Sequence, residues 1–411
     1  MPPRTFIHVD LNNFYASAEI LSMPQYRDVP LAVCGDPALR HGIVLAKNMP
    51  AKAYGVQTGE TVWQAKQKCP GLVCVPPHFD LYMRFSEQAF TLYTTYTDLV
   101  EPFGPDECWL DVTGSARLFG DGKAIADDIR ARIKRETGGL TVSAGVAFSK
   151  IFAKMGSDLK KPDATSVMTQ ENFKDVLWPL PAADLCGIGR QTAKKLALMN
   201  INTVGDLARA DEAVLKSWLG VPGVQLRREA AGEEIGTVRP YYQSPVPKSV
   251  GHGVTTTRDL IEPDDFRVVV YYLSDLIARR LRAHGLVAAQ AAVTVRDNDL
   301  RVTGRQGFFD LPTSSGTEIG ARAFDLVTEL RPRDALPARS LTVTTFALDA
   351  DAESRQSLFD TAAHERNRRM DKGLDKIQTR FGRNAVVRGN LVASVFIHDR
   401  VDAEVFLPFR R

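Results

Sequence analysis

A short β-prone run, Thr5 to Val9, ends on a carboxylate at Asp10 and passes at once into a helical pattern with Phe14, Ala18 and Leu21 on one face. A strand that carries an acid to its own end and feeds a helix restricts the chain to folds in which helices pack on a sheet. Asn12 or Asn13 is expected to cap that helix. The alternation continues. Strands are expected near Leu31–Cys34, Ile43–Ala46 and Leu72–Val75, with helices near Met49–Ala53 and Thr61–Lys68. Tyr82, Phe85, Ala89, Leu92 and Tyr96 recur at helical steps over residues 80–96. After the acidic corner Asp106-Glu107 come a strand at Trp109–Val112, a helix at Ala116–Thr137 stopped by Gly138-Gly139, and a strand at Thr141–Ala147. A helix at Lys150–Leu159 and a strand at Ser166–Met168 follow. This order suits an α+β sandwich of ferredoxin-like type better than a doubly wound sheet.

Residues 170–236 are helical in pattern, broken at Gly187, Gly189, Gly205, Gly220 and Gly223. Arg239 to Pro247 carries three prolines and is expected to be an extended linker. Residues 248–350 read as a second α+β domain, with strands at Ala291–Val295 and Leu341–Leu348 and helices at Val268–Ala283 and Gly316–Leu330. A length of 411 residues accommodates several such domains. Hydrophobic residues at 44% and charged residues at 25% exclude a disordered, collagenous or disulfide-dense chain. No stretch reaches the roughly 18 apolar residues of a membrane span, and Pro2, Pro3 and Arg4 lead into the first strand without a signal-peptide core, so a cytoplasmic protein is expected. Cys34, Cys69, Cys74, Cys108 and Cys186 show no zinc-type spacing and read as reduced, buried small hydrophobes. The net charge is only +3, with the basic excess concentrated after residue 354, so any nucleic-acid footprint on the main body must be local.

Asp10 ends one strand, and Asp106 and Glu107 open another, so neighbouring strands could bring three acids to one edge. Close carboxylates repel unless cations sit between them, and hard oxygen donors suit Mg²⁺ with substrate phosphates as further ligands. On residue type alone, acids at strand ends are more often simple turn residues. Leu185 to Leu196 (LCGIGRQTAKKL) reads as a helix-hairpin-helix turn, in which Gly187 and Gly189 let backbone N–H groups approach a phosphate, with Lys194 and Lys195 beside it.

The strings Ile7–Glu19 (IHVDLNNFYASAE), Asp106–Thr113 (DECWLDVT), Ser143–Ala147 (SAGVA) and Ser149–Lys154 (SKIFAK), followed by Asp158 and Lys161-Pro162, resemble the motifs of Y-family DNA polymerases in order and register. The resemblance spans nearly the whole chain. It implies a multidomain right-hand architecture: a ferredoxin-like palm (1–12 and 76–168), small fingers (13–75), a helical thumb (169–236) and a linker (237–247). An α+β little finger (248–350) and a tail (351–411) complete it. It implies that Asp10, Asp106, Glu107 and the Leu11 carbonyl hold two Mg²⁺ ions, for which Mn²⁺ can substitute, with Glu107 on the side of the primer 3′-hydroxyl. Tyr15 takes the steric-gate position beneath the sugar, next to Phe14. Lys52 and Lys161 match triphosphate-binding positions. The chain departs from the family at Met49, where Tyr is usual, at Lys52, where Arg is usual, and at Pro105, where Ser is usual. Lysine lacks the bidentate fork of arginine, which weakens the clamp expected there.

Lys248, Arg296, Arg301 and Arg305 are expected DNA contacts of the little finger, the three arginines being placed on strands. Gln356, Leu358 and Phe359 resemble a sliding-clamp peptide, and the helix after them carries Met370, Leu374, Ile377 and Phe381 on one stripe. The resulting expectation is a monomeric, Mg²⁺-dependent translesion polymerase acting on primed template DNA and dNTPs, with no membrane partner. A palm-type nucleotidyl cyclase and a catalytically silent DNA-bound scaffold are the rival classes.

Overall fold

The computed structural model describes residues 4–40, 42–233, 236–243, 246–332, 335–351, 362–382 and 385–389. The chain divides into two compact units, one formed chiefly by the N-terminal 35 residues with residues 43–244, the other chiefly by the chain from 245 onward.

The first unit contains β1 (Phe6–Leu11), β2 (Leu31–Cys34), β3 (Val44–Lys47), β4 (Val73–Val75), β5 (Val100–Pro102), β6 (Glu107–Asp111), β7 (Val142–Ala147) and β8 (Thr165–Met168). Five of them form one sheet in the order β5-β6-β1-β7-β8, antiparallel except for the β7–β8 pair. Side chains alternate across a strand, so Ile7, Val9 and Leu11 of β1 enter a core with Tyr82, Ala89 and Tyr93 of helix Phe79–Tyr93 and Ile125, Ile129 and Ile133 of helix Gly122–Glu136. Phe6, His8 and Asp10 point the other way, toward helix Lys150–Leu159. That helix lies close on the sheet because β7 offers Gly145 opposite His8.

A smaller sheet, β3-β2-β4, packs helices Met49–Ala53 and Val62–Lys68 on one face through Val44, Ala51, Val62 and Ala65. Its other face, through Leu31 and Val33, joins the core of the large sheet. Helices Phe173–Leu177, Arg190–Leu198, Val204–Arg209, Glu212–Leu219 and Val221–Ala231 follow β8 and share one apolar cluster with Phe6, Trp109 and Phe152.

Several local expectations change. Neither asparagine caps helix Phe14–Ser22: Asn13 is left-handed (φ 50°) and makes no side-chain cap. The Asn12 amide donates to Ser143 Oγ at 2.9 Å, and its oxygen accepts from the Asp163 N–H at 2.9 Å, tying β1 to β7 and to the loop after helix Lys150–Leu159. The helix expected over 116–137 is two, Ala116–Phe119 and Gly122–Glu136, parted at Gly120 (φ 88°). The helix expected to reach residue 96 stops at Tyr93. The described part of the proline-rich segment turns at Tyr241, whose N–H donates to the Asp98 carbonyl at 2.9 Å. Among the five cysteines, all free, Cys74 and Cys186 are half-buried rather than buried.

The second unit is an antiparallel sheet, β11-β10-β12-β9, of β9 (Ser249–Leu260), β10 (Leu286–Asp297), β11 (Val302–Thr313) and β12 (Ala338–Ala350). Helices Pro263–Ala283 and Gly316–Leu330 cover one face through Leu273, Ile277, Ile319 and Leu326 against Ala291, Val293, Leu341 and Val343. The pattern missed β9 and β11, because β9 is interrupted by Gly251 and Gly253 and most of β11 is exposed, which removes the alternation that marks a half-buried strand. Helix Ala362–Phe381 docks by polar contacts instead of its apolar stripe. Its buried residues are His364 and Asp371, with Asp375 bound to Arg282 (2.6 Å) and His364 to Glu318 (2.9 Å), while Met370, Ile377 and Phe381 face outward. Among the described residues no helix is long and apolar enough to cross a membrane.

Candidate active site

The antiparallel pairing of β1 with β6 sets Asp10 directly opposite Glu107, and the Leu11 N–H donates to the Asp106 carbonyl at 2.9 Å. The three acids, separate in sequence, therefore meet at one sheet edge. They line a cleft of about 330 Å³ together with Leu11, Asn13, Phe14 and Tyr15 from the start of the first helix, Leu45, Ala46, Lys47 and Thr58 from the smaller sheet and its loop, and Pro105. Phe14 is nearly fully buried and is core as well as wall, whereas Tyr15 is half-buried.

Electrostatics distinguishes the acids. Burial, then the negative charges of Asp10 and Glu107, push Asp106 up to about 7. Asp10 is also raised by burial, although Lys161 Nζ sits 2.5 Å from its Oδ2. Burial acts on Glu107 in the same direction, but contacts from His8 and Lys154 outweigh it and hold the carboxyl down at about 2. Lys154 Nζ lies 2.7 Å from Glu107 Oε2, and His8 Nε2 lies 3.3 Å from the same oxygen. His8 itself is driven down to about 4, burial being the main cause, and its Nδ1 contacts Ser157 Oγ at 2.8 Å. Lys161 also reaches Asp158 at 2.8 Å. Two lysines thus stand on two of the three acids.

Among the described residues no group of three or more His, Cys, Asp or Glu side chains is drawn together closely enough to enclose one metal ion. The three carboxylates are nevertheless of the type hard divalent cations take, and Leu11 lines the same cleft, with Asp106 left without a lysine of its own among the contacts described. An anionic Asp106 beside Asp10 and Glu107 is disfavoured until positive charge enters the cleft.

Other expected residues are more dispersed. Lys52 is exposed on helix Met49–Ala53 and is not part of the cleft wall. The wall carries Lys47 instead, whose Nζ donates to Thr58 Oγ1 at 3.0 Å. Sequence reasoning missed Lys47, Lys154 and His8. The parity of β1 was the available signal for His8, since it must share a face with Asp10. Gly187 (φ 94°) and Gly189 precede helix Arg190–Leu198, on which Lys194 and Lys195 are exposed; the leading helix of this hairpin is a single 3-10 turn, Ala182–Asp184.

In the second unit Lys248 is exposed ahead of β9, and Arg296 lies on the open face of β10. Arg301 is in the β10–β11 turn, not on a strand. Arg305 pairs in register with the core residue Val293 and so faces the helices, where Glu329 holds it at 2.6 Å. These arginines do not share one surface. Gln356, Leu358 and Phe359 lie outside the described residues.

Comparison with known proteins agrees with this architecture. Residues 9–158 match the family model described as the impB/mucB/samB family, and residues 247–358 match the model of that family's C-terminal domain. A protein of Acetivibrio thermocellus named DNA polymerase IV is 44% identical over 95% of this chain and 98% of its own length. DNA polymerase IV 1 of Bacillus subtilis is 33% identical over 94% and 92%. A solved Y-family DNA polymerase chimera, Dbh-Dpo4-Dbh, superposes with a TM-score of 0.75 at 24% identity, covering 84% of this chain and 99% of that one. The chain therefore belongs to the Y-family of DNA polymerases, within the impB/mucB/samB group whose relatives carry the name DNA polymerase IV.

Proposed function

We propose that this chain extends a primer on a DNA template by nucleotidyl transfer from dNTPs, and that it does so across damaged template bases. The observation that carries the reading is the meeting of Asp10, Asp106 and Glu107 on one edge of a cleft that Tyr15 also lines. In the reaction the primer 3′-oxygen bonds to the α-phosphorus of the dNTP, the bond to the bridging oxygen breaks, and pyrophosphate leaves. Two divalent cations, Mg²⁺ or Mn²⁺, would be held by Asp10, Asp106, Glu107 and the Leu11 carbonyl, and would supply a more acidic 3′-hydroxyl and charge neutralisation at the phosphates.

The chain's own groups do the rest. Lys161 and Lys154 lower the cost of charge on Asp10 and Glu107 in a partly buried site, and Lys161 would also meet an incoming triphosphate. Tyr15 presents a flat ring at the cleft wall, where it would exclude a 2′-hydroxyl. The Gly187–Gly189 turn, Lys194 and Lys195 would hold the duplex backbone without reading sequence, as would Lys248 and Arg296 of the second unit. The small β3-β2-β4 sheet would close over the nascent pair with little bulk, which tolerates distorted template bases. We place the protein's work in the cytoplasm, as a monomer, with Gln356, Leu358 and Phe359 offering a contact for the sliding clamp; deletion from Ser354 should then abolish clamp-dependent stimulation.

Primer extension tests the centre of this reading. Asp10→Ala, Asp106→Ala and Glu107→Ala should each lower the single-turnover rate by about 10³-fold or more, while the proteins still bind primed template. Unchanged elongation by any one of them overturns it.

A further inference from the structure

Tyr15 and Glu19 stand four residues apart on helix Phe14–Ser22 and so share one face. Glu19 is 1% exposed. A carboxylate so deeply buried needs partners. Its partners are the Tyr82 hydroxyl, which donates to Oε1, and His78 Nδ1, at 2.9 and 3.1 Å from the two carboxylate oxygens. The His78 backbone N–H in turn donates to the Tyr82 oxygen at 3.1 Å. Tyr82, also 1% exposed, lays its ring flat on that of Tyr15, with centroids 4.2 Å apart and planes 11° apart. Phe79 meets both rings edge-on, at 5.9 and 5.8 Å.

Tyr15 touches the cleft, and Tyr82 and Glu19 are not among the residues that line it. A buried carboxylate joined to a phenol is a costly way to hold two helices together, because apolar side chains of similar volume would pack as well or better. What the pair adds is direction. Stacking alone leaves a ring free to slide in its plane, whereas a hydroxyl anchored at Glu19 fixes where the Tyr82 ring lies, and the ring of Tyr15 follows it.

We propose that Tyr82 and Glu19 are positioning residues that set the sugar selectivity of this polymerase by fixing the plane of Tyr15. The inference rests on Tyr15 acting as the steric gate. It assigns selectivity to a hydrogen bond buried behind the gate, between two side chains that need never meet the nucleotide.

The test is incorporation opposite one template base, with kcat/KM measured separately for the matching dNTP and rNTP. Tyr82→Leu and Glu19→Ala should each lower the dNTP-to-rNTP ratio by roughly tenfold. Tyr82→Phe, which keeps the ring and loses only the anchor, should lower it by less, and Glu19→Gln, whose amide oxygen still accepts from the phenol, should restore most of it. In a Tyr15→Ala background Tyr82→Leu should produce no further change. A variant that merely folds less well loses activity toward both sugars alike and leaves the ratio at the parent value; that result, or an additive effect in the Tyr15→Ala background, overturns the proposal. Tyr15→Ala alone separates the two levels. If it leaves the ratio unmoved, the gate itself is wrong; if it relaxes the ratio while Tyr82→Leu, Tyr82→Phe and Glu19→Ala do not, the gate stands and the positioning role fails.

Discussion

A Cβ placed on Gly145 would lie 2.0 Å from the carbonyl oxygen of Ala153, so β7 and the helix above it touch backbone to backbone. No rotamer change can relieve that contact. Gly145→Ala must lift helix Lys150–Leu159, and with it Lys154, off the acidic edge. A destabilisation of about 3 kcal/mol is expected, read as a fall in the urea midpoint, together with loss of primer extension. Gly156→Ala, whose added carbon would meet Gly145 Cα at 3.1 Å, should be milder, costing about 1 kcal/mol.

Glu101 lies between Lys150, at 2.8 Å, and the Arg239 N–H, at 3.1 Å. Burial alone would raise its pKa, but these partners outweigh burial and lower it. Because the folded value is the lower one, the stabilisation is present above the unfolded carboxyl pKa of about 4.3 and is lost as pH falls below it. Glu101→Gln should cost about 1–3 kcal/mol near neutrality. The gap between its melting temperature and that of the parent should close on titration to acid; a gap that persists there would exclude the ionic origin.

Lys47, not Lys52, is the lysine on the cleft wall. Burial first, then the charge of Lys52, lowers its pKa, as expected of a cation awaiting an anionic partner. Lys47→Ala should raise the KM for dNTP about tenfold, equivalent to about 1.4 kcal/mol. Lys52→Ala should have the smaller effect. Steady-state kinetics with both variants decides the order.

Arg296 and Arg305, nine residues apart, sit on opposite faces of their sheet. Arg296→Ala should weaken binding to duplex DNA and reduce the slope of log K against log salt by about one. Arg305→Ala breaks only the pair with Glu329 and should leave that slope alone. Filter binding across a salt series tells them apart.

The acidic edge was legible because one strand pattern ended on Asp10, another opened on Asp106-Glu107, and the resemblance to Y-family motifs joined the two; the smaller sheet was legible because proline and glycine punctuate it so heavily. What escaped has a common physical origin. Asn12 looks like a cap until its amide is seen between β7 and the Asp163 loop, a tertiary contact that no local rule encodes. Met370, Ile377 and Phe381 mark the apolar stripe of their helix, yet that helix is fastened by Asp371, Asp375 and His364, which the periodicity of apolar residues counts as solvent-facing. Lys47 is hidden for the same reason: a lysine at the end of an edge strand gives no sign that a cleft lies beside it.

Phe152 on the helix above the sheet stacks on Phe173, 5.1 Å away at the start of the helical segment, inside the apolar cluster that runs from Phe6 to Val238. That continuity joins the Gly187–Gly189 turn and the helix bearing Lys154 through one block of hydrocarbon. Bending there would open a void in hydrocarbon, so the duplex grip we propose for that turn and the charge balance at Glu107 should shift together.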